Sequence, residues 1–465
     1  MIMKPATGLI SLFAGLYDSL DPQYKFTFEP FITQIVEKLT ACGLNVLEPR
    51  TCVHETDIQN ALRFYEQNQA DAVIILFLAY HPSLVSAGAL AGTSLPVIFL
   101  DTTECFAFDE KTDPDLIMRC HGIHGVQDLT CVLRRLGKDY HIEAGHYTQS
   151  DVIRRVADSV KACFLAGCLK NSRVGIVGEP FDDMGDFAMS FASFAKNFGL
   201  KIVSWQNKPT DTSANQERDN FWRREIMDSL TVSPDAEGPL ADMAVSSTAD
   251  LAQWIDREKL DAFSFNFLDF NHDLGLAAIP FVASSLFMSR GIGYAGEGDV
   301  LTAALVAALM KIYPASTFTE MFCPDWQGDR VFLSHMGEVN LSLLQHPVLV
   351  RKEVEYVPNL NQGITPGVAG ALKGGQAILV NLAPLADDQY QLILAPCEIV
   401  EAGADDRFQM SVRGWMRPKM PLADFLAEYS RLGGTHHSCL CYGADLSLLH
   451  QFSNIMGWQT QIIGN

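Results

Sequence analysis

Along the first hundred residues, short apolar runs alternate with amphipathic stretches: "GLISLFAGLY", then 29–42, "LNVLEP", then 57–68, "ADAVIILFLAY", then 83–90, and "LPVIFLD". No other feature restricts the fold as much. Strands apolar on both faces must be covered on both sides, so this rhythm predicts a parallel sheet with helices on each face. Loops leaving the carboxyl ends of such strands are where ligands collect, and here they carry Asp18, Tyr80-His81-Pro82 and Asp101-Thr102-Thr103.

The pattern restarts after a helix expected at 150–169. "RVGIVG" reads as a strand, "EPFDDMGDF" as an acidic loop, and "AMSFASFAKNFG" as a helix stopped by Gly199 before "LKIVSW". That loop has neither the GxGxxG spacing nor a P-loop lysine, which argues against a nucleotide site. Residues 206–250, polar and interrupted by Pro209, Pro234 and Pro239, are expected to be an irregular excursion, and "DAFSFNFLDF" a buried strand. Beyond Pro314 the texture changes to short alternating runs such as "VLVRKEVEYV", "QAILVNLAPL" and "YQLILAPCEIVEAG", the mark of an antiparallel β domain, closed by a last α/β piece. The expected division is therefore an α/β domain at 1–165, a second at 166–312 and a β-rich domain at 313–465, in keeping with a 465-residue chain too long for one core.

Charge excludes some functions. Lys and Arg number 34 against 55 Asp and Glu, a formal charge of -21, which repels nucleic acid and anionic membranes. The uncharged run from Ala72 to Leu100 contains His81-Pro82 and reads as strand, helix and strand rather than a membrane span. Eleven cysteines without a CxxC pair, and a start, "MIMKPATGLISLF", lacking the features of a secretory leader, predict reduced thiols in a cytoplasmic protein.

The chemistry begins at "GYAGEGDVLTAALVAALM", residues 293–310, where two acids stand at the mouth of an apolar helix. Asp299 occupies the N-cap position and has a structural explanation. Glu297 does not, being too far ahead of the helix and too long to cap it, and flanked by Gly296 and Gly298. Three more places combine ionisable groups with stiff or glycine-rich surroundings: Glu320 in "STFTEMF", His335 in "FLSHMGEV" and His436-His437 in "GGTHHSCL". Two carboxylates with one or two imidazoles form a mixed N/O set that suits Mn²⁺, Mg²⁺, Fe²⁺ or Zn²⁺. Neighbours on a strand face opposite ways, so at most one of His436 and His437 should ligate, and Glu338 is expected to be an ordinary exposed acid.

"GYAGEGDVLTAAL", "FTEMF", "LSHMGEVN" and "GGTHHSCL", in that order and at those separations, resemble the metal and catalytic motifs of the L-arabinose isomerase and L-fucose isomerase family. "HGIHG", "EAGHY" and "GEPFDDMGDF" extend the resemblance over nearly the whole chain. It implies two Rossmann-like parallel-sheet domains followed by an antiparallel, β-barrel-like C-terminal domain. By position it makes Glu297, Glu320, His335 and His437 the ligands of a Mn²⁺-type ion, with Glu297 and Glu320 also the acid/base pair. It implies a homo-oligomer, trimer or hexamer, in which His124 contacts the substrate in a neighbour's site, and it leaves His436 as a substrate contact. The implied activity is a ketol isomerisation of a free pentose, hexose or deoxysugar through a cis-enediol. "AYHPSLVSAG" and "GEVNLS" depart from the family pattern, so the sugar is left open. A sugar-binding or sensing protein without turnover and a metal-dependent hydrolase are the competing readings.

Overall fold

The computed structural model describes residues 4–207, 215–357, 360 and 363–464, and the chain forms two compact units, Met1–Gly167 and Cys168–Asn465. In the first, β1 (Ala6–Leu12), β2 (Asn45–Val46), β3 (Arg50–Cys52), β4 (Ala72–Phe77), β5 (Val97–Asp101) and β6 (Tyr140–Ala144) build one parallel sheet. Its order is β2-β1-β4-β5-β6, with β3 also on β1. Every residue of β4 is buried, as expected of a strand covered on both faces. Helices Glu29–Ala41, Glu55–Gln67 and Ser83–Gly92 lie where the sequence predicts them. β6 carries no apolar run and is not legible from the sequence; four of its five residues alternate between half-buried and exposed positions.

The second unit opens with a parallel sheet of order β11-β10-β7-β8, from β7 (Arg173–Val177), β8 (Lys201–Ser204), β10 (Ala262–Phe265) and β11 (Gly293–Gly296). The segment between β8 and β10 corrects the expected irregular excursion. Helix Asn215–Ser229, a short strand β9 (Thr231–Val232) and helix Pro239–Glu258 occupy it, while residues 208–214 lie outside the described residues. Pro239 starts its helix rather than breaking one, because the first turn needs no N–H from it.

The remaining strands are β12 (Ser316–Asp325), β13 (Arg330–Ser334), β14 (Leu344–Glu353), β15 (Ile364–Leu372), β16 (Gly375–Pro384), β17 (Tyr390–Val400), β18 (Val412–Pro418), β19 (His437–Tyr442) and β20 (Gln459–Ile462). β17, β16, β19, β12, β13 and β18 pair in turn, and β18 pairs back with β17. All six pairings are antiparallel, so the ring is a closed barrel, which leaves no open edge among these strands. The expected antiparallel sheet is extended by three parallel pairings, β15 on β18, β9 on β14 and β20 on β17.

Helix Val300–Met310 joins the two layers of this unit. It packs against β7, β10 and β11 and also against β12, β16 and β19, and all eleven of its residues are buried. A helix touched on opposite sides has no solvent face to keep polar, hence "VLTAALVAALM". We propose a further cut within this unit near residue 312, as read from the sequence.

Candidate metal and active site

Register in the barrel brings the first three groups together. Glu320 on β12 stands directly opposite His437 on β19 and opposite Ser334, the last residue of β13, so His335 follows at the strand's end. Cross-strand neighbours have Cβ atoms about 4.5–5.5 Å apart, and the side chains meet: Glu320 Oε1 lies 2.9 Å from His437 Nε2 and 3.2 Å from His335 Nε2. Phe318, two residues before Glu320 on the same strand face, packs edge-on against both imidazoles at 4.8 Å.

Glu297 arrives from the parallel sheet, one residue past β11. Its Oε2 is 3.4 Å from Nε2 of both His436 and His437, and its Oε1 is 4.0 Å from His335 Nε2. Its φ is +65°, a left-handed conformation costly for a residue with a side chain. Hydrogen bonds on every side hold it there. Its N–H donates to Phe265 O, its carbonyl accepts from Phe181 N–H, and the next N–H, of Gly298, donates to Ser264 Oγ. Both flanking glycines are needed for contact. A Cβ on Gly298, where φ is +87°, would lie 2.4 Å from Pro180 Cα, and one on Gly296 would lie 2.8 Å from the His335 ring.

One ligand atom from each of Glu297, Glu320, His335 and His437 falls within 4.8 Å of the others. Each imidazole in the group is oriented from behind by a carboxylate. Glu338 sits 2.7 Å from His335 Nδ1, and Asp299 3.0 Å from His437 Nδ1, which leaves both Nε2 atoms directed at the acids. Such outer carboxylates fix the tautomer and ring of metal-ligating histidines. Asp299 therefore does two things, since its other oxygen caps the helix through Thr302 N–H. The reading of Glu338 as an exposed acid is corrected. The residue is buried, and its carboxylate also accepts from Tyr294 OH and Gly337 N–H. The strand ends at Ser334, so the turn that follows, not strand alternation, decides where Glu338 points.

The histidine pair also escapes alternation, because β19 begins only at His437. Both rings approach Glu297, with centroids 4.1 Å apart. Asn381 and Tyr429 hold the segment in place, Asn381 Nδ2 donating to His437 O and Tyr429 OH to Thr435 O. The His437 side chain is 0% exposed and that of His436 37%. His436 is in turn gripped by Asp186, whose Oδ2 is 2.6 Å from Nδ1 and accepts the His436 backbone N–H at 2.9 Å. Asp186 was not singled out by the sequence. "EPFDDMGDF" offers three aspartates, and Asp182 and Asp183 are exposed. Next to it, Phe187 stacks flat on His437 at 5.1 Å. His124 lies in the first unit, exposed and stacked on Tyr80 at 4.6 Å.

The cluster polarises itself. Burial acts to raise Glu297, but His436, His437 and His335 hold it down at about 2. Glu320 is likewise held far below its ordinary range, against burial, by His335 and His437. Burial favours neutral imidazoles, yet Glu338 and Glu320 push His335 up to about 10, Asp186 and Glu297 push His436 up to about 9, and His437 is driven well up by Asp299, Glu297 and Glu320. Among the described residues the ion pairs of Glu297 and Glu320 are with imidazoles alone. His437 Nε2 is buried without a hydrogen-bond partner among the described residues, despite its short distance to Glu320. A nitrogen aimed between two carboxylates, with no lysine or arginine among the described residues paired to them, fits a divalent cation.

Comparison with known proteins follows the same lines. The L-arabinose isomerase central domain matches residues 201–314 and the L-arabinose isomerase C-terminal domain residues 315–459, together more than half of the chain. The chain belongs to the L-arabinose isomerase family. The reaction class of that family is aldose–ketose isomerisation of a sugar, an intramolecular oxidoreductase chemistry. Relatives include the L-arabinose isomerase of Geobacillus kaustophilus (strain HTA426), 23% identical over 419 residues, covering 85% of this chain and 81% of that one. Those of Bifidobacterium longum (strain NCC 2705) and Enterobacter sp. (strain 638) are 23% and 21% identical, covering 76% and 77% of this chain and 72% and 73% of theirs. A periplasmic solute binding protein of an ABC transporter from Actinobacillus succinogenes 130z, with bound D-allose, overlaps at a TM-score of 0.18 and 13% identity, covering 66% of this chain and 92% of that one. An overlap that low carries no argument.

Proposed function

We propose that this chain is a metal-dependent ketol isomerase of a free sugar, in which Glu297, Glu320, His335 and His437 hold a divalent cation, Mn²⁺ foremost, and Glu297 and Glu320 move the proton. The observation that carries this reading is the convergence of those four side chains to within 4.8 Å in a chain of this family. A cation held there supplies positive charge beside the sugar oxygen on which negative charge develops. The residues do the rest. Starting with both carboxylates ionised, one takes the proton from C2, the carbon bearing the hydroxyl, and, now protonated, delivers it to C1. The other takes the C2 hydroxyl proton and passes it to the C1 oxygen, so that the cis-enediol collapses to the ketose and both carboxylates end ionised. Each such transfer is worth about 10²–10⁴-fold. His436, the most open imidazole of the group, is the substrate contact.

The substrate is a pentose, hexose or deoxysugar, and L-arabinose is the first to try because the relatives carry its name. The working protein is a cytoplasmic homo-oligomer, trimer or hexamer, in which His124 reaches the substrate of another copy. Among the described residues no helix is long and apolar enough to cross a membrane. The test is a screen of aldoses and ketoses with purified protein and Mn²⁺, before and after chelation. The expected outcome is an isomer of equal mass, lost on chelation and restored by Mn²⁺. A hydrolysis product, or turnover indifferent to chelator, would refute it.

A further inference from the structure

Of the three imidazoles around Glu297 and Glu320, His335 and His437 are closed off, with side chains 2% and 0% exposed, and each is turned by a carboxylate buried as deeply as itself. His436 repeats that arrangement on the open side. A single oxygen of Asp186 grips both its backbone N–H and its Nδ1, so one carboxylate sets the position of the chain and the rotation of the ring together. With Nδ1 taken, Nε2 is the atom left to face the site, 3.4 Å from Glu297 Oε2 and 3.8 Å from Glu320 Oε1. Phe187, the next residue along, lies against the same ring at 5.6 Å and closes off another direction of rotation. The loop after β7 thus contributes no group to the four-residue cluster but controls the imidazole that a bound molecule can touch.

We propose that Asp186 is a positioning residue, holding His436 so that Nε2 hydrogen-bonds a hydroxyl oxygen of the sugar beside the two glutamates. This rests on the isomerase reading above. The contact belongs to sugar binding rather than to cation binding, because His436 is outside the four-residue cluster. Without the carboxylate the half-exposed ring is free to turn away, and the sugar must order it at its own expense.

The experiment compares the full-length parent with Asp186→Ala, Asp186→Asn, His436→Ala and the double Asp186→Ala/His436→Ala variant. Calorimetry measures Mn²⁺ binding and, on the Mn²⁺-loaded proteins, binding of L-arabitol, or of the alditol of whichever sugar turns over. Kinetics give KM and kcat separately. Asp186→Ala and His436→Ala should each weaken alditol binding and raise KM by about tenfold, the double variant should be no worse than His436→Ala, and Asp186→Asn should recover part of the loss through its one remaining acceptor oxygen. Mn²⁺ affinity should stay close to that of the parent in all four. An active parent whose Asp186→Ala variant keeps its alditol affinity and KM overturns the proposal alone, as does strict additivity in the double variant. Mn²⁺ affinity falling along with alditol affinity overturns it too, by putting His436 among the ligands. A parent that isomerises no sugar overturns the isomerase reading and this proposal with it. Asp186→Asn, nearly isosteric, keeps the test decisive if the alanine variant folds poorly.

Discussion

At Glu297 the polypeptide accepts a left-handed φ of +65° in order to aim a carboxylate at three imidazoles. Strain of that kind persists only where surrounding bonds over-determine it. If both glutamates carry the proton, Glu297→Gln and Glu320→Gln should each reduce turnover by about 10²–10⁴-fold while circular dichroism stays that of the parent; activity surviving both changes would remove the assignment. His437→Ala should cost more Mn²⁺ affinity than His436→Ala, since Asp299 engages His437 Nδ1 and leaves Nε2 facing the two glutamates; the reverse order would name the other imidazole. Protonation supplies a third check. With no ion bound, His335 keeps its proton up to about 10 and His437 also titrates well above its ordinary range, so loading must expel protons. Raising the pH removes the competitor, and apparent Mn²⁺ affinity should climb from pH 6 to 8.5, by about tenfold per unit for each proton released. Calorimetry in buffers of different ionisation enthalpy counts those protons; an affinity flat across this range would mean the imidazoles do not ligate.

Among the elements, the turn between β11 and helix Val300–Met310 is the most tightly specified. Two glycines admit Pro180 and His335, and Asp299 both caps the helix and orients His437. Gly298→Ala puts a methyl 2.4 Å from Pro180 Cα at a φ of +87°. It should destabilise the protein by about 1–3 kcal/mol from backbone strain alone and weaken Mn²⁺ binding as Glu297 shifts, both measurable by denaturant titration and calorimetry. Legibility from the sequence differs from element to element, for local reasons. Gly296-Glu297-Gly298 stood out because a long acid between glycines has no local use. Glu338 did not, because the end of β13 at Ser334 is marked by no proline or glycine until Gly337, and strand periodicity extended to Glu338 runs four residues past the strand. Residues 206–250 read as irregular because prolines ordinarily act as breakers, whereas Pro239 opens a helix of twenty residues.

For the whole molecule, all four cluster residues belong to the second unit, carried by a parallel sheet and a closed barrel that share helix Val300–Met310. An ion bound there ties the two layers together. Mn²⁺ at a hundred times its dissociation constant should stabilise the folded unit by about 2.7 kcal/mol, seen as a rise in melting temperature that chelator reverses. Hydrogen exchange should slow at 293–299, 316–320, 334–338 and 435–438 together; protection confined to one of these segments would argue against a shared ion. The sequence alone determined the alternating α/β architecture, the change to β structure beyond Pro314 and the residue types of the cluster, because periodicity and side-chain chemistry are local properties. Only the tertiary structure decided that Glu320 faces His437 across two strands, that Glu338, Asp299 and Asp186 turn three imidazoles toward one space, and that the barrel closes. Those outcomes depend on strand register and on contacts between residues up to 250 positions apart, and no local pattern encodes them.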